Sequence, residues 1–182
     1  MMLLKEITYF ILPLLLTNLF HHFIVIRYQL FSQLARPIDF GKFFLGKPIL
    51  GKNKTFRGLI VLTFGNGLFM FLVSLFIPGF SLALQVCFFG MILGFGYALG
   101  ELPNSFAKRR IGIKESCSSK DSAKIFFFLM DHFDSVLVST IALSLIYHVS
   151  GQLFIALVLV GGTIHFIVDL ILRRVGYKKF LN

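Results

Sequence analysis

Charge is scarce in this sequence. Asp, Glu, Lys and Arg make up 14% of its 182 residues, less than a soluble domain of this length carries. Acids are scarcer than bases, 8 against 18, leaving a formal net charge of +10. Cysteine is almost missing. Cys87 falls in an apolar run and Cys117 in a charged loop, which suggests neither a disulfide framework nor a zinc site. The sequence has no HExxH, no convincing Ser-His-Asp or Cys-His arrangement, no internal repeat, no low-complexity stretch and no soluble second domain. The apolar run near the N-terminus lacks a small-residue cleavage site and reads as a retained span.

Apolar residues are abundant instead: 57% of the chain is hydrophobic, with 24 phenylalanines and a mean hydropathy of +0.85. The expected fold is an all-α polytopic membrane protein, a single membrane domain over residues 1–182. Five apolar runs, approximately 6–26, 58–77, 82–100, 125–147 and 152–172, are long enough, or nearly so, to cross ~30 Å of hydrocarbon. Pro78-Gly79-Phe80-Ser81 and the segment around Ser150-Gly151 predict tight turns, hence antiparallel hairpins. Of the 18 basic residues, 17 fall in the loops 27–57 and 101–124 or after residue 172, and only Lys5 lies on the other side. The positive-inside rule puts those loops and the C-terminus in the cytoplasm, the N-terminus outside, and the chain in the cell membrane. Clustering beside spans argues for anionic lipid or an anionic substrate and against nucleic acid.

The stretch from Gly100 to Ser135 carries six of the basic residues and five of the acids. Two of those acids, Asp131 and Asp134, lie just inside the fourth run, where a carboxylate is expensive and a functional site is the default reading. Spaced by three, they share a helix face. Magnesium takes one or two carboxylates plus phosphate oxygens and water, which such a pair near the interface would supply. A paired or protonated structural role is the alternative. Asn104 and Lys108 share a face if the third helix continues past Pro103. The plain reading of Lys108, Arg109 and Arg110 is a positive-inside anchor.

The first loop reads RPIDFGKFFLGKPILGKNKTFRG. Gly46 to Lys52 matches the P-loop spacing, but Asn53 replaces the Ser/Thr and no strand precedes it. Its glycines and Lys52, Lys54, Thr55 and Arg57 still suit an anionic ligand. Thr55 has a second reading as a helix N-cap, and Asp39 is either an ion-pair partner or a metal ligand. Asn18, His21 and His22 are read on the outer half or near the middle of the first span. They, with His165 in the fifth, are assigned to helix packing, and Asp169 to an ion pair with Arg173.

KNKTFRG after a Gly-rich basic loop, ELPNSFAKRRIGI after a third span and MDHFDSVL opening a fourth resemble the CDP-archaeol synthases. These are small five-span relatives of the CDP-diacylglycerol synthases. Order and spacing match over nearly the whole chain, the three motifs covering 28 of its 182 residues. The resemblance implies magnesium-dependent cytidylyl transfer from CTP to a membrane lipid phosphate. It points to Lys54, Thr55, Arg57, Asn104, Ser105, Lys108, Arg109, Asp131 and Asp134. One departure is Glu101, where many relatives have Asp, so the metal role the resemblance implies there would fall to a longer side chain. The wider group has a Pro/Gly-His-Gly-Gly stretch before the acidic pair, and KIFFFLM here argues for the archaeol-type branch. The rival expectation is a non-catalytic membrane protein or a small ion carrier, which would place its acids nearer the midplane.

Overall fold

The computed structural model describes residues 2–77, 83–113 and 124–174. Five helices are long and apolar enough to cross a membrane. In chain order they are α1 (Met2–Phe20), α2 (Phe56–Phe76), α3 (Ala83–Arg110), α4 (Lys124–Ser144) and α5 (Gly151–Arg174). The chain leaves α1 through one π-helical segment, His21–Ile26. The turn expected at Pro78–Ser81, together with Lys114, Cys117, Lys120, Lys178 and Lys179, lies outside the described residues.

α3 organises the bundle. It packs along α2 on one side and α4 on the other, and α1 and α5 close the ring against each other. Two glycine pairs, Gly90/Gly94 and Gly96/Gly100, make this possible, because without a hydrophobic drive between helices small residues let backbones meet. A Cβ on Gly94 would lie 2.0 Å from the carbonyl oxygen of Leu62 in α2. A Cβ on Gly100 would lie 2.7 Å from Cα of Ser135 in α4. The fully buried Asn66 stitches the first contact, donating to the Gly90 carbonyl at 2.7 Å and accepting from Thr17 at 3.3 Å. Ser139 donates to the Leu93 carbonyl at 2.7 Å across the second.

α3 runs ten residues beyond the apolar stretch that ended at Gly100, so the segment 101–110, expected to be loop, is helix. Pro103 removes one backbone donor without ending it. At 28 residues, or about 42 Å, α3 reaches past the hydrocarbon and carries Lys108, Arg109 and Arg110 in its last turn. At α2 the N-cap reading of Thr55 is correct. It is extended (φ −117°, ψ 154°) and its hydroxyl accepts from the Gly58 amide at 3.2 Å. Ser150 caps α5 the same way through the Leu153 amide at 3.2 Å.

The loop between α1 and α2 is ordered, and Asp39 is its hub. Its carboxylate accepts from the amides of Gly41 (2.9 Å), Leu50 (2.8 Å) and Gly51 (3.3 Å). Backbone amides, and no Lys or Arg among the described residues, thus partner Asp39. Partial burial would raise its pKa, but the three amides outweigh this and hold it below the ordinary carboxylate value. Inside the loop a small antiparallel hairpin pairs β1 (Phe43–Phe44) with β2 (Lys47–Pro48).

Candidate functional site

The bundle encloses a cavity of about 840 Å³ at the end where the basic loop joins the helices. The loop and the start of α2 contribute Lys52, Lys54, Thr55 and Arg57. α3 contributes Glu101, Asn104, Ser105, Lys108 and Arg109, and α4 contributes Asp131 and Asp134. Apart from Asp39, every residue singled out in the sequence for phosphate, metal or catalysis therefore lines the same cavity. The same lining includes the apolar Leu14, Leu59, Leu62, Ala98, Val136 and Ile164.

Continuation of α3 past Pro103 puts Asn104 and Lys108 on one face, and both reach Asp131. Asn104 Nδ2 donates to Asp131 Oδ1 at 2.7 Å, and the Lys108 ammonium is ion-paired to the same oxygen. Lys54, at the end of the loop, forms the matching pair with Glu101. Two lysine–carboxylate pairs thus face the cavity from different elements. Asp134 is buried against α3, its Oδ1 accepting from the amide (2.6 Å) and hydroxyl (3.0 Å) of Ser135. The close approach at Gly100 sets this geometry, since a Cβ there would also stand 2.8 Å from the Asp134 carbonyl.

Arg57 Nε and Asn104 Oδ1 are buried polar atoms of the lining with no hydrogen-bond partner among the described residues. The first is a cationic donor suited to an anion, the second a hard oxygen beside Asp131. Among the described residues Arg57 Nη1 donates to Gln29 Oε1 (3.4 Å) and the Leu30 carbonyl (3.5 Å). Arg109 is committed elsewhere. Its Nε donates to the Leu50 carbonyl at 3.3 Å and its Nη1 to the Ile113 carbonyl, so it clamps the loop to the end of α3. Among the described residues no three His, Cys, Asp or Glu side chains come together to hold a metal ion. The two aspartates and Asn104 Oδ1 remain an oxygen set of the kind magnesium accepts, with other positions filled by phosphate and water.

Asn18, His21 and His22 were misplaced by the sequence reading. They line this cavity, at the charged end of α1, because His21 opens the π segment that leads into the basic loop. Such segments often sit at functional sites. Asn18 still bonds within its helix, to the Leu14 carbonyl at 2.9 Å. His165 and Asp169 line the cavity as well. Asp169 Oδ2 lies 3.7 Å from His132 Nε2, linking α5 to α4; the side chain of Arg173, its expected partner, lies outside the described residues. The other ring nitrogen of His132 donates to the Phe128 carbonyl at 2.6 Å, and Tyr97 Oη is 3.4 Å from His165. The only sequence signal for this group was a polar residue recurring within each span.

Fold and cavity together define a polytopic helical membrane protein with a cation- and carboxylate-lined site among its spans. The chain belongs to the CarS-like CDP-archaeol synthase family, whose sequence model matches residues 1–181. It is 32% identical over 115 residues to a CDP-archaeol synthase from Sulfolobus acidocaldarius, covering 62% of each chain. With the Sulfurisphaera tokodaii protein of the same name it shares 28% over 153 residues, 82% of this chain and 83% of that one. With that from Pyrococcus furiosus it shares 40% over 81 residues, 42% and 47% of the two chains. The matches to the Sulfolobus and Pyrococcus proteins thus span less than two thirds of those relatives. No solved structure matches the chain.

Proposed function

We propose that this protein is a CTP:lipid-phosphate cytidylyltransferase that makes a CDP-activated membrane lipid, with an archaeal-type isoprenoid ether lipid phosphate as acceptor. The observation that carries the reading is one cavity whose lining brings lysines and carboxylates together with apolar side chains of the spans. It offers a place for a polyphosphate from water and a phosphorylated lipid from the bilayer. The family name supports the same chemistry.

A lipid phosphate oxygen attacks the α-phosphorus of CTP, the new P–O bond forms, and the bond to the β-phosphate breaks to release pyrophosphate. No protein nucleophile is required; the work is positioning and charge neutralisation. Lys54 and Lys108, which pair with Glu101 and Asp131, exchange those partners for phosphate oxygens. Lys52 and Arg57 add positive charge, and Thr55, Asn104 and Ser105 supply neutral hydrogen bonds. Asp131 and Asp134 hold a divalent cation, magnesium, which when bound offsets phosphate charge and polarises the phosphoryl oxygens. Glu101 positions Lys54 and Arg109 holds the loop over the site. The cavity faces the cytoplasm of the cell membrane, with the N-terminus outside, in keeping with the basic-residue asymmetry.

Purified protein given CTP, magnesium and a panel of ether and ester lipid phosphates is expected to release pyrophosphate, fastest with the isoprenoid ether substrate. Silence across the panel would contradict the reading.

A further inference from the structure

The turn joining β1 to β2 carries a leucine where both conformation and solvent oppose one. Leu45 and Gly46 have φ of 51° and 72°. Positive φ at both positions is the pattern that Asn-Gly fills with least strain in a two-residue hairpin. Leu45 is also 80% exposed, and nearby Phe40 and Phe43 are 71% and 68% exposed. Phe40 itself has a φ of 54°. These side chains belong to none of the five spans, so contact of a span with lipid tails does not account for them.

The hairpin is docked on the emerging end of α3. Arg110 donates to the carbonyls of Phe44, Lys47 (3.1 Å) and Pro48, and Lys47 returns a bond to the Arg110 carbonyl at 2.6 Å. The Arg110 guanidinium lies over the rings of Phe44 (5.4 Å) and Phe106 (5.0 Å). Phe106, one turn nearer the apolar run, is itself 37% exposed and continues the apolar surface towards the bilayer. Basic residues flanking a span sit at headgroup level, and Arg110 fixes the hairpin at that level. Lys42 and Lys47, which flank the apolar tip in sequence, are exposed, while Asp39, the loop's one acid, is engaged by backbone amides.

We propose that the β1–β2 hairpin is an interfacial anchor. Phe40, Phe43 and Leu45 enter the headgroup layer of the membrane the spans cross, and Lys42 and Lys47 face the phosphates of an anionic leaflet. Apolar side chains ringed by lysines are what such a surface binds. The anchor does not depend on the catalytic reading.

The sequence contains no tryptophan, so Phe43→Trp makes a single fluorescent reporter in the full chain. Reconstituted in phosphatidylglycerol-containing vesicles, it is expected to emit to the blue of a water-exposed indole. Lipids brominated near the headgroup end of their tails should quench it and acrylamide should not, and the protection should weaken in purely zwitterionic vesicles. Phe40→Trp should behave the same way. Adding Leu45→Asn should raise acrylamide quenching at least about twofold, while the thermal midpoint in detergent holds or rises, because Asn suits the left-handed position. Free quenching by acrylamide with none by brominated lipid would overturn the proposal. So would protection from both quenchers, which would mean burial against a second copy of the chain, or equal protection in zwitterionic and anionic vesicles.

Discussion

Asp131 and Asp134 differ in their surroundings more than their spacing suggests. Asp131 is met by Lys108 and Asn104 from α3, whereas Asp134 is held by its own neighbour Ser135. Asparagine at either position keeps the shape and removes the charge that holds a cation. Asp131→Asn and Asp134→Asn are therefore expected to lower turnover at least about 100-fold, on the scale of losing one preorganised electrostatic contact. Both variants should insert and fold, with thermal stability no longer raised by magnesium. Near-normal turnover in both would remove the metal assignment.

Asp39 gives a prediction in pH. Its pKa is depressed in the folded chain by three amide donors. Its stabilisation is therefore complete above the ordinary carboxylate value of about 3.9 and is lost as pH falls through the lower folded value. Limited proteolysis of the loop should quicken on acidification through that window. In Asp39→Asn cleavage should already be fast at neutral pH and insensitive to acid over that range.

At the scale of elements, the five helices were legible because each span carries its own hydropathy. The three motifs were legible because their charges interrupt apolar sequence. The end of α3 was not: hydropathy falls at Glu101, but backbone hydrogen bonding continues to Arg110. The loop was hidden too, because one carboxylate organises it through bonds to amides whose identity the sequence does not encode. Asn18, His21 and His22 vanish in an averaged window, although they line the cavity. The glycine pairs of α3 were in plain view, but which neighbour each meets depends on the assembled bundle. Gly100→Ala tests their role. Its methyl would meet the α4 backbone at 2.7 Å, and overpacking of this kind costs roughly 1–3 kcal/mol. We expect a lower thermal midpoint and a loss of turnover larger than that midpoint explains, because Asp134 moves with the α4 backbone.

Among the described residues the molecule gathers its cations, Lys5 excepted, and its cavity at one end, and the membrane gives that end a side. In a Cys87→Ser background, Cys117 becomes the one thiol of the chain. A membrane-impermeant maleimide should label it only after cells are permeabilised; labelling of intact cells would reverse the topology. The chemistry itself is tested most directly with CTP carrying separate labels on its α- and γ-phosphorus. The protein, magnesium and an isoprenoid ether lipid phosphate are predicted to move the α label into the lipid phase and leave the γ label in water as pyrophosphate, in equal amounts. Both labels remaining together in water, or the γ label alone entering the lipid, would contradict cytidylyl transfer.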